Sequence, residues 1–244
     1  MKLMPSWRSP LLIFATVLAA ASARAQTPVA AARVDVALML AVDASGSVNQ
    51  TRFQLQRHGY AEAFRNPKVL DAIAAGGDHA IAVAMVQWTG PSLHVQVVDW
   101  TRVSDDASAQ ALADAIDATG RRLYGGGTSL SGAIDIGVAM LAADPFRAAR
   151  KVIDISGDGS NNAGRPAEMA RDAAVKAGIT INGLPITWIE PGLDSYYRDR
   201  VIGGPGAFVV SIDSYDNFAD AIVEKLVTEI SALRAPSLAS TAGQ

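Results

Sequence analysis

An acidic residue and two hydroxyl residues alternate along one short segment of the chain: Asp43, Ser45 and Ser47. The wholly apolar run 36–42 precedes them and predicts a buried strand that ends where these polar residues begin. Such a segment can turn three hard oxygen ligands toward one point, and oxygen ligands are what Mg²⁺ prefers in proteins. A simpler alternative stays open, in which the segment only caps a helix that begins near Asn49.

Two further loops each offer an oxygen ligand. Thr128 follows the three glycines 125–127, which allow the backbone to approach a site closely. Asp158 lies directly after the apolar strand predicted at 151–156 and is flanked by glycines. Because ligands bind at the carboxyl ends of the strands in open α/β sheets, three loops with hard ligands indicate one metal site there.

Apolar runs and amphipathic segments alternate along the chain, which predicts a single α/β domain. The predicted strands are 34–42, 80–88, 93–97, 151–156, 179–188 and 207–212, and the main predicted helices are 49–64, 104–119, 130–141, 166–177 and 218–233. Segment 93–97 alternates apolar and polar residues after a Gly-Pro turn, as a half-exposed hairpin strand would. We therefore expect a doubly wound, mostly parallel six-stranded sheet with one antiparallel edge strand and helices on both faces.

The first 25 residues have the three-part pattern of a secretory signal peptide. Lys2 and Arg8 precede the apolar run 11–20, and Ala23-Arg24-Ala25 is a small-x-small cleavage site. The alternative, a membrane anchor, is disfavoured because the run is too short to cross a bilayer. We expect a protein that is periplasmic or secreted and soluble after cleavage. The predicted boundaries are a signal peptide at 1–25, a leader at 26–33, a folded domain at 34–234 and a disordered tail at 235–244.

Composition and charge exclude several kinds of function. The chain has no cysteine, so thiolate metal sites, cysteine nucleophiles and disulfides are excluded. Without its first 25 residues the chain carries 18 basic and 24 acidic residues and no basic block, which disfavours nucleic acid and anionic membranes as partners. No second run of about 18 apolar residues occurs, so no transmembrane helix is predicted after cleavage.

The three polar segments together resemble the metal-ion-dependent adhesion site (MIDAS) of the von Willebrand factor type A (vWA), or integrin I-like, domain. The matching segments are Asp43-Ala44-Ser45-Gly46-Ser47, Gly126-Gly127-Thr128 and Gly157-Asp158-Gly159. The resemblance extends over about 34–233 and includes all five ligand positions. In segments 153–159 and 181–186 the chain resembles a bacterial exported branch that has no assigned function. It departs from the family at Gly157, where a threonine is usual.

The resemblance implies a role for each of the five residues. Ser45 and Ser47 would ligate Mg²⁺ or Mn²⁺ directly by their hydroxyls, and Thr128 would do so directly or through water. Asp43 and Asp158 would act largely through water while holding the hydroxyls. An open coordination position would then accept a Glu or Asp carboxylate from a partner protein. The implied function is a non-enzymatic, exported, adhesion-type module, and the family resemblance also allows its affinity to change with movement of the final helix.

Two other functions stay open at this point. One is a metal-dependent hydrolase, in which the cation would activate water. It is disfavoured because no histidine or free carboxylate occupies a motif position where a general base is needed, and no G-x-S-x-G segment occurs. The other is a scaffold whose metal site is only structural.

Asp154 is an acidic residue that the motif does not use. It lies inside the apolar strand predicted at 151–156, and a buried carboxylate is unfavourable unless it is paired or hydrogen-bonded. Two interpretations stay open. Asp154 could pair with Arg57 or a backbone amide, or it could lie at an opening in the sheet that admits water.

Overall fold

A computed structural model describes residues 31–232 of the chain. The predicted signal peptide, most of the predicted leader and the predicted tail lie outside these residues. Among the helices of the described part, none is both long and apolar enough to cross a membrane.

The described residues form five strands and seven helices. In chain order these are β1 (Arg33–Asp43), α1 (Gln50–Arg65), α2 (Pro67–Ala74), β2 (Ile81–Trp88), β3 (His94–Val103), α3 (Asp106–Asp117), α4 (Leu130–Ala142), β4 (Arg147–Gly157), α5 (Ala167–Lys176), β5 (Ile179–Pro185), α6 (Leu193–Tyr196) and α7 (Phe218–Ser231). A π-helical turn, Tyr197–Val201, continues α6, and a 3₁₀ turn, Tyr215–Asn217, leads into α7.

The strands form one mixed sheet in the order β3-β2-β1-β4-β5. β1 is parallel to β2 and β4, β4 is parallel to β5, and the edge strand β3 is antiparallel to β2. The predicted α/β fold with one antiparallel edge strand is therefore confirmed.

The predicted sixth strand, 207–212, is wrong, and the described sheet has five strands. The segment does run beside β5, and Val210 and Ile212 donate backbone hydrogen bonds to the carbonyls of Gly183 and Pro185. Only isolated bridges form, at Gly183–Val209 and Ile186–Ile212. Pro185 has no N–H to donate between these two bridges, so the ladder is interrupted there.

The apolar core lies in two layers, one on each face of the sheet. Side chains alternate along β1, so that Val36, Leu38 and Leu40 pack with α1, α2, α3 and α7, whereas Met39 packs with α4 and α5 on the other face. A side chain at Gly137 of α4 would collide with Met39, so this glycine lets the helix approach the sheet closely. Burial on both faces explains why β1 is a continuous apolar run.

The carboxyl ends of three neighbouring strands coincide. In the register of the sheet Asp43, the last residue of β1, pairs with Trp88, the last residue of β2. On the other side Val42 pairs with Ser156, the penultimate residue of β4. The loops that follow β1 and β4 therefore leave the sheet at the same edge and next to each other.

Candidate metal centre

The segment after β1 forms a compact turn around a buried carboxylate. Asp43 is fully buried, and its Oδ1 accepts the backbone N–H of Ser45 at 2.7 Å. The hydroxyl of Ser45 lies 3.2 Å from that of Ser47. The backbone N–H of Val48 closes the turn on the carbonyl of Ser45 at 3.2 Å.

This turn does not cap α1. Asn49 is the capping residue, because its Oδ1 accepts the backbone N–H of Arg52 at 2.9 Å. Ser47 instead donates its hydroxyl to Oδ1 of Asp158 at 2.5 Å. The alternative that Asp43, Ser45 and Ser47 only cap a helix is therefore wrong, since their polar atoms contact one another and the loop after β4.

Asp158 is the second buried carboxylate of the site. Its Oδ1 accepts from Ser47, and its Oδ2 accepts the hydroxyl of Tyr215 at 2.8 Å. Nη1 of Arg52 lies 4.0 Å from the same Oδ2 and donates to the carbonyl of Ser47 at 2.8 Å. Two segments besides the motif therefore hold this carboxylate: the first turn of α1 and the 3₁₀ turn before α7.

Thr128 reaches the site through the loop before α4. Its backbone N–H donates to Oδ1 of Asn162 at 2.8 Å, and its carbonyl accepts the N–H of Asn162 at 2.9 Å. A side-chain carbon placed on Gly159 would lie 3.5 Å from the Thr128 hydroxyl, which puts that hydroxyl beside the residue following Asp158. The side chain of Thr128 is buried.

The glycines before Thr128 let this loop approach the first motif. Gly125 and Gly126 have φ angles of 74° and 92°, which favour glycine because a β-carbon is strained there. A β-carbon on Gly46 would lie 3.6 Å from the carbonyl oxygen of Gly126. The loops that carry the five predicted ligands therefore converge at one edge of the sheet.

Three buried polar atoms at the site lack a hydrogen-bond partner among the described residues: Asp43 Oδ2, Tyr197 Oη and Trp88 Nε1. The three side chains meet beside Gly157. A β-carbon there would lie 2.9 Å from Tyr197 Oη and 3.1 Å from Asp43 Oδ2, with Cζ2 of Trp88 at 3.3 Å. The threonine that is usual in the vWA motif would not fit here, because the tyrosine hydroxyl already occupies the space.

Burial and charge both act on Asp43. Burial, and then the neighbouring Asp158 carboxylate, raise the pKa of Asp43 to about 7. The hydrogen bond from Ser45 opposes this rise without cancelling it. A positive charge placed beside Asp43 would oppose this rise and favour the ionised carboxylate.

The donor set fits a hard divalent cation. Two carboxylates and three hydroxyls supply oxygen only, and Oδ2 of Asp43 is buried with no partner in the described chain. Nearby arginines are otherwise engaged: Arg52 stays 4.0 Å from Asp158, and Arg121 donates to the carbonyls of Ala44 and Ser45 at 3.0 and 3.1 Å. Within residues 31–232 no group of three or more His, Cys, Asp or Glu side chains could hold a metal, so a site here depends on the hydroxyls.

Several residues at this site carry no sequence pattern that would have indicated them. Tyr197 and Tyr215 lie in short irregular turns far from the motifs, and their positions depend on how the loops fold. Glu190, in the loop after β5, accepts the backbone N–H of Ser160 at 2.8 Å, and its carboxylate lies near Gly159. For Arg52 the sequence gives a weak indication of a place near the site, because it lies in the first turn of the predicted helix, five residues after Ser47.

Asp154 pairs with a lysine of α7, and not with Arg57. Nζ of Lys225 lies 2.6 Å from Oδ1 of Asp154 and 2.5 Å from Oε1 of Glu229, and all three side chains are fully buried. Asn182 of β5 also donates to Oε1 of Glu229, at 2.9 Å. Arg57 instead donates to a backbone carbonyl of the loop after α3. One oxygen of this carboxylate is thus paired with a lysine inside the core, while Oδ2 has no hydrogen-bond partner in the described chain. Asp154 itself is fully buried, so it does not lie at an opening in the sheet.

This core cluster also shifts a pKa. Burial, followed by the charge of Glu229, raises the pKa of Asp154 to about 7, and the ammonium of Lys225 opposes that rise. Two carboxylates therefore share one ammonium in a region without exposed surface.

Comparison with solved structures identifies the fold. Proximal thread matrix protein 1 from the mussel byssus matches with a TM-score of 0.61 and 14% identity, over 82% of this chain and 48% of that one. A second structure of that protein, described as having a zinc-occupied MIDAS motif, matches with a TM-score of 0.57 and 13% identity, over 82% and 49% of the two chains. This chain thus spans about half the length of these structures.

Two bacterial vWA structures match as well. The vWA protein from Catenulispora acidiphila has a TM-score of 0.55 and 17% identity, over 81% of this chain and 43% of that one. The von Willebrand factor domain of the type V pili tip protein Mfa5 from Porphyromonas gingivalis has a TM-score of 0.57 and 12% identity, over 83% and 97% of the two chains. At these identities the likeness shows the fold alone.

Sequence comparison places the chain in a family. No curated protein matches it. The profile of the family described as "Protein of unknown function (DUF1194)" matches residues 33–234, which is most of the chain. The chain therefore belongs to the DUF1194 family, and its fold is that of a von Willebrand factor type A domain.

Proposed function

We propose that this protein is an exported, adhesion-type binding module that captures an acidic side chain of a partner protein through a bound divalent cation. The observation that carries the proposal is the unpartnered, buried Oδ2 of Asp43 beside a second buried carboxylate. Two buried carboxylates without a basic group in direct contact are unfavourable, and a cation would relieve this.

The five motif residues would hold the cation, Mg²⁺ or Mn²⁺. Ser45, Ser47 and Thr128 offer hydroxyls, while Asp43 and Asp158 offer carboxylates that are hydrogen-bonded to the serine residues of the same site. The bound cation would supply an electrophilic position that accepts a carboxylate. Because most of these ligands are neutral, the cation would keep much of its charge for the partner.

The comparisons support a metal site and a protein partner without assigning either. Mussel proximal thread matrix protein 1 has a zinc-occupied MIDAS, so the fold accommodates a divalent cation. Mfa5 is a pilus tip protein, and such a location suits contact with other proteins. The proposal that this chain is exported depends on the signal-peptide pattern in residues 1–25, and the proposed binding domain covers 34–234.

The test is capture of a partner by the chain from residue 26 onward. Protein immobilised in MgCl₂ should retain a specific partner from an envelope extract, and chelator should release it. Asp43→Ala and Thr128→Ala should lose capture, whereas Asp71→Ala, an exposed acidic residue on α2, should retain it. Each variant should keep the circular dichroism spectrum of the parent protein.

Two results would overturn the proposal. One is capture of the same partner in chelator or by Asp43→Ala. The other is metal-dependent hydrolysis of a test ester or phosphoester that Asp158→Ala abolishes, since this would favour the hydrolase.

A further inference from the structure

Large hydrophobic side chains are exposed around the candidate metal centre. In the described part of the chain five such residues are exposed: Leu93, Tyr124, Met169, Trp188 and Ile189. All except Met169 lie on loops at the edge of the sheet where the metal ligands converge. Trp188 is 64% exposed, which is unusual for a residue type that is mostly buried. Exposed apolar side chains that are concentrated at one edge of a protein are typical of interaction sites.

A groove on this edge contains Trp188. It has a volume of about 250 Å³, and its lining includes Arg52, Leu55, Trp188, Tyr215 and Asp216. Its apolar wall comes from Leu55, the indole of Trp188 and the ring of Tyr215. The volume lies below the range of about 300–1,000 Å³ for small-molecule pockets, so the groove suits one large side chain better than a complete ligand.

The groove shares two side chains with the metal centre. Tyr215 lines the groove and donates its hydroxyl to Asp158. Arg52 lies over the ring of Tyr215, 5.7 Å from its centroid, and donates to the carbonyl of Ser47. A partner that places a carboxylate at the cation therefore has the groove immediately beside it.

The charges of this edge indicate what kind of partner fits. The proposed cation and the guanidinium of Arg52 favour a carboxylate, and the wall formed by Leu55 and Trp188 favours an apolar side chain. A polypeptide segment offers both within a few residues. Trp, Tyr and Arg are also the residue types that contribute most to protein–protein affinity.

We propose that the groove binds an aromatic or large aliphatic side chain that lies within a few residues of the captured Asp or Glu in the partner protein. This inference rests on the proposed function and adds the partner's local sequence to it. Trp188 is the residue that would select the apolar side chain, and it is not one of the five residues proposed to hold the cation.

The test uses synthetic peptides as the probe, so that no natural partner is needed. An array presents Gly/Ser peptides with one central Glu or Asp and with Trp, Phe, Leu or Ser at each position up to four residues away. The labelled protein is applied in MgCl₂ and in chelator. The variants are Trp188→Ala, Asp43→Ala and Met169→Ala, which removes an exposed apolar side chain from α5, on the opposite face of the sheet from α1 and the groove.

The expected result has three parts. Binding requires both the acidic residue and Mg²⁺, and Asp43→Ala abolishes it. At one or two positions an apolar residue strengthens binding by about tenfold over serine, the effect of burying one such side chain. Trp188→Ala removes that preference and keeps binding to the serine peptides, whereas Met169→Ala behaves as the parent protein does.

The contradicting results are distinct. One such result is binding that requires the acidic residue of the peptide but shows no preference for an apolar residue. Another is an apolar preference that Trp188→Ala retains. Either result overturns this inference and leaves the proposed function standing. If no binding in MgCl₂ requires the acidic residue of the peptide, both this inference and the proposed function are overturned. Sedimentation that shows a dimer of the parent protein, dissociated by Trp188→Ala, would assign the groove to a second copy of the chain and so overturn the inference.

Discussion

Two pairs of buried carboxylates have opposite surroundings. Each pair includes one residue from β4 or the loop that follows it: Asp154 in the core and Asp158 at the edge of the sheet. In the core, Asp154 and Glu229 share the ammonium of Lys225, which lies 2.6 and 2.5 Å from them. At the edge of the sheet, Asp43 and Asp158 are equally buried, and the basic group paired with them, Arg52, is 4.0 Å from Asp158.

This contrast indicates that the core cluster is structural and that the edge cluster is a candidate binding site. A buried carboxylate is strongly unfavourable unless it is paired, so each cluster needs a positive charge. The core cluster contains its own in Lys225, whereas the edge cluster has hydroxyls and a guanidinium 4.0 Å away. Unpartnered carboxylate oxygens occur in both clusters, at Asp43 Oδ2 on the edge and at Asp154 Oδ2 and Glu229 Oε2 in the core, so the position of the positive charge is what separates them. Burial raises the pKa of Asp43 and of Asp154 to about 7, so burial alone does not distinguish them.

The same segment of chain contacts both clusters. Lys225 and Glu229 are on α7, and Tyr215, in the 3₁₀ turn just before α7, donates to Asp158. Substitutions in this one segment can therefore perturb the two clusters separately.

The largest effect is expected from removing the core ammonium. Lys225→Met should lower the free energy of unfolding by about 3–5 kcal/mol, because Asp154 and Glu229 would be left buried and unpaired. Urea denaturation in MgCl₂ measures this. A triple variant that combines Lys225→Met with Asp154→Asn and Glu229→Gln should recover much of the lost free energy of unfolding. It stays informative if Lys225→Met alone does not fold. A loss below about 1 kcal/mol in Lys225→Met would show that the cluster is not buried as described.

A smaller effect is expected from pH. An acid whose pKa is raised on folding stabilises the protein fully below its unfolded pKa, and this contribution is lost as pH rises through the folded pKa. For Asp154 the window extends from its ordinary value of 3.8 up to about 7. In excess MgCl₂ the free energy of unfolding should therefore fall across this window, by at most about 1.4 kcal/mol per pH unit from this group.

Asp154→Asn tests that slope directly. Urea midpoints at a series of pH values should show a flatter decline in this variant than in the parent protein, while Asp71→Asn should reproduce the parent slope. Equal slopes in Asp154→Asn and the parent protein would contradict the account of the core cluster.

A smaller effect still is expected from a substitution at the contact between the metal centre and the 3₁₀ turn that precedes α7. Tyr215→Phe removes the hydroxyl that holds Asp158, and loss of such a supporting hydrogen bond weakens metal binding by about tenfold. Isothermal titration with MgCl₂ measures the affinity. Tyr124→Phe, on an exposed ring, is the matched control and should leave the affinity unchanged. Unchanged affinity in Tyr215→Phe would mean that the position of Asp158 does not depend on this contact.

Local patterns predicted the strands and the convergence of their ends. The apolar run before Asp43 and the glycines before Thr128 and around Asp158 were sufficient, because strand formation and chain reversal depend mainly on neighbouring residues. Pro185 is the local signal that the ladder with segment 207–212 is interrupted, because proline has no N–H to donate.

Contacts between distant segments could not be predicted in the same way. Lys225 and Glu229 adjoin the apolar stripe of α7 and look like ordinary exposed helix residues, and nothing local connects them with Asp154. Their spacing of four residues, as a pair on the buried side of a helix, was the available clue. Tyr197 and Tyr215 depend on loop conformation, which the sequence pattern does not determine.

The dependence of stability on Mg²⁺ tests the contrast between the two clusters most directly. Urea unfolding of the parent protein and of Asp43→Ala would be measured over a series of MgCl₂ concentrations, with Asp71→Ala as control. The parent protein and the control should gain about 1.4 kcal/mol for each tenfold rise above the dissociation constant. Asp43→Ala should show no gain. A parent protein that Mg²⁺ and Mn²⁺ both fail to stabilise, or an equal gain in Asp43→Ala, would contradict a metal centre at this edge of the sheet.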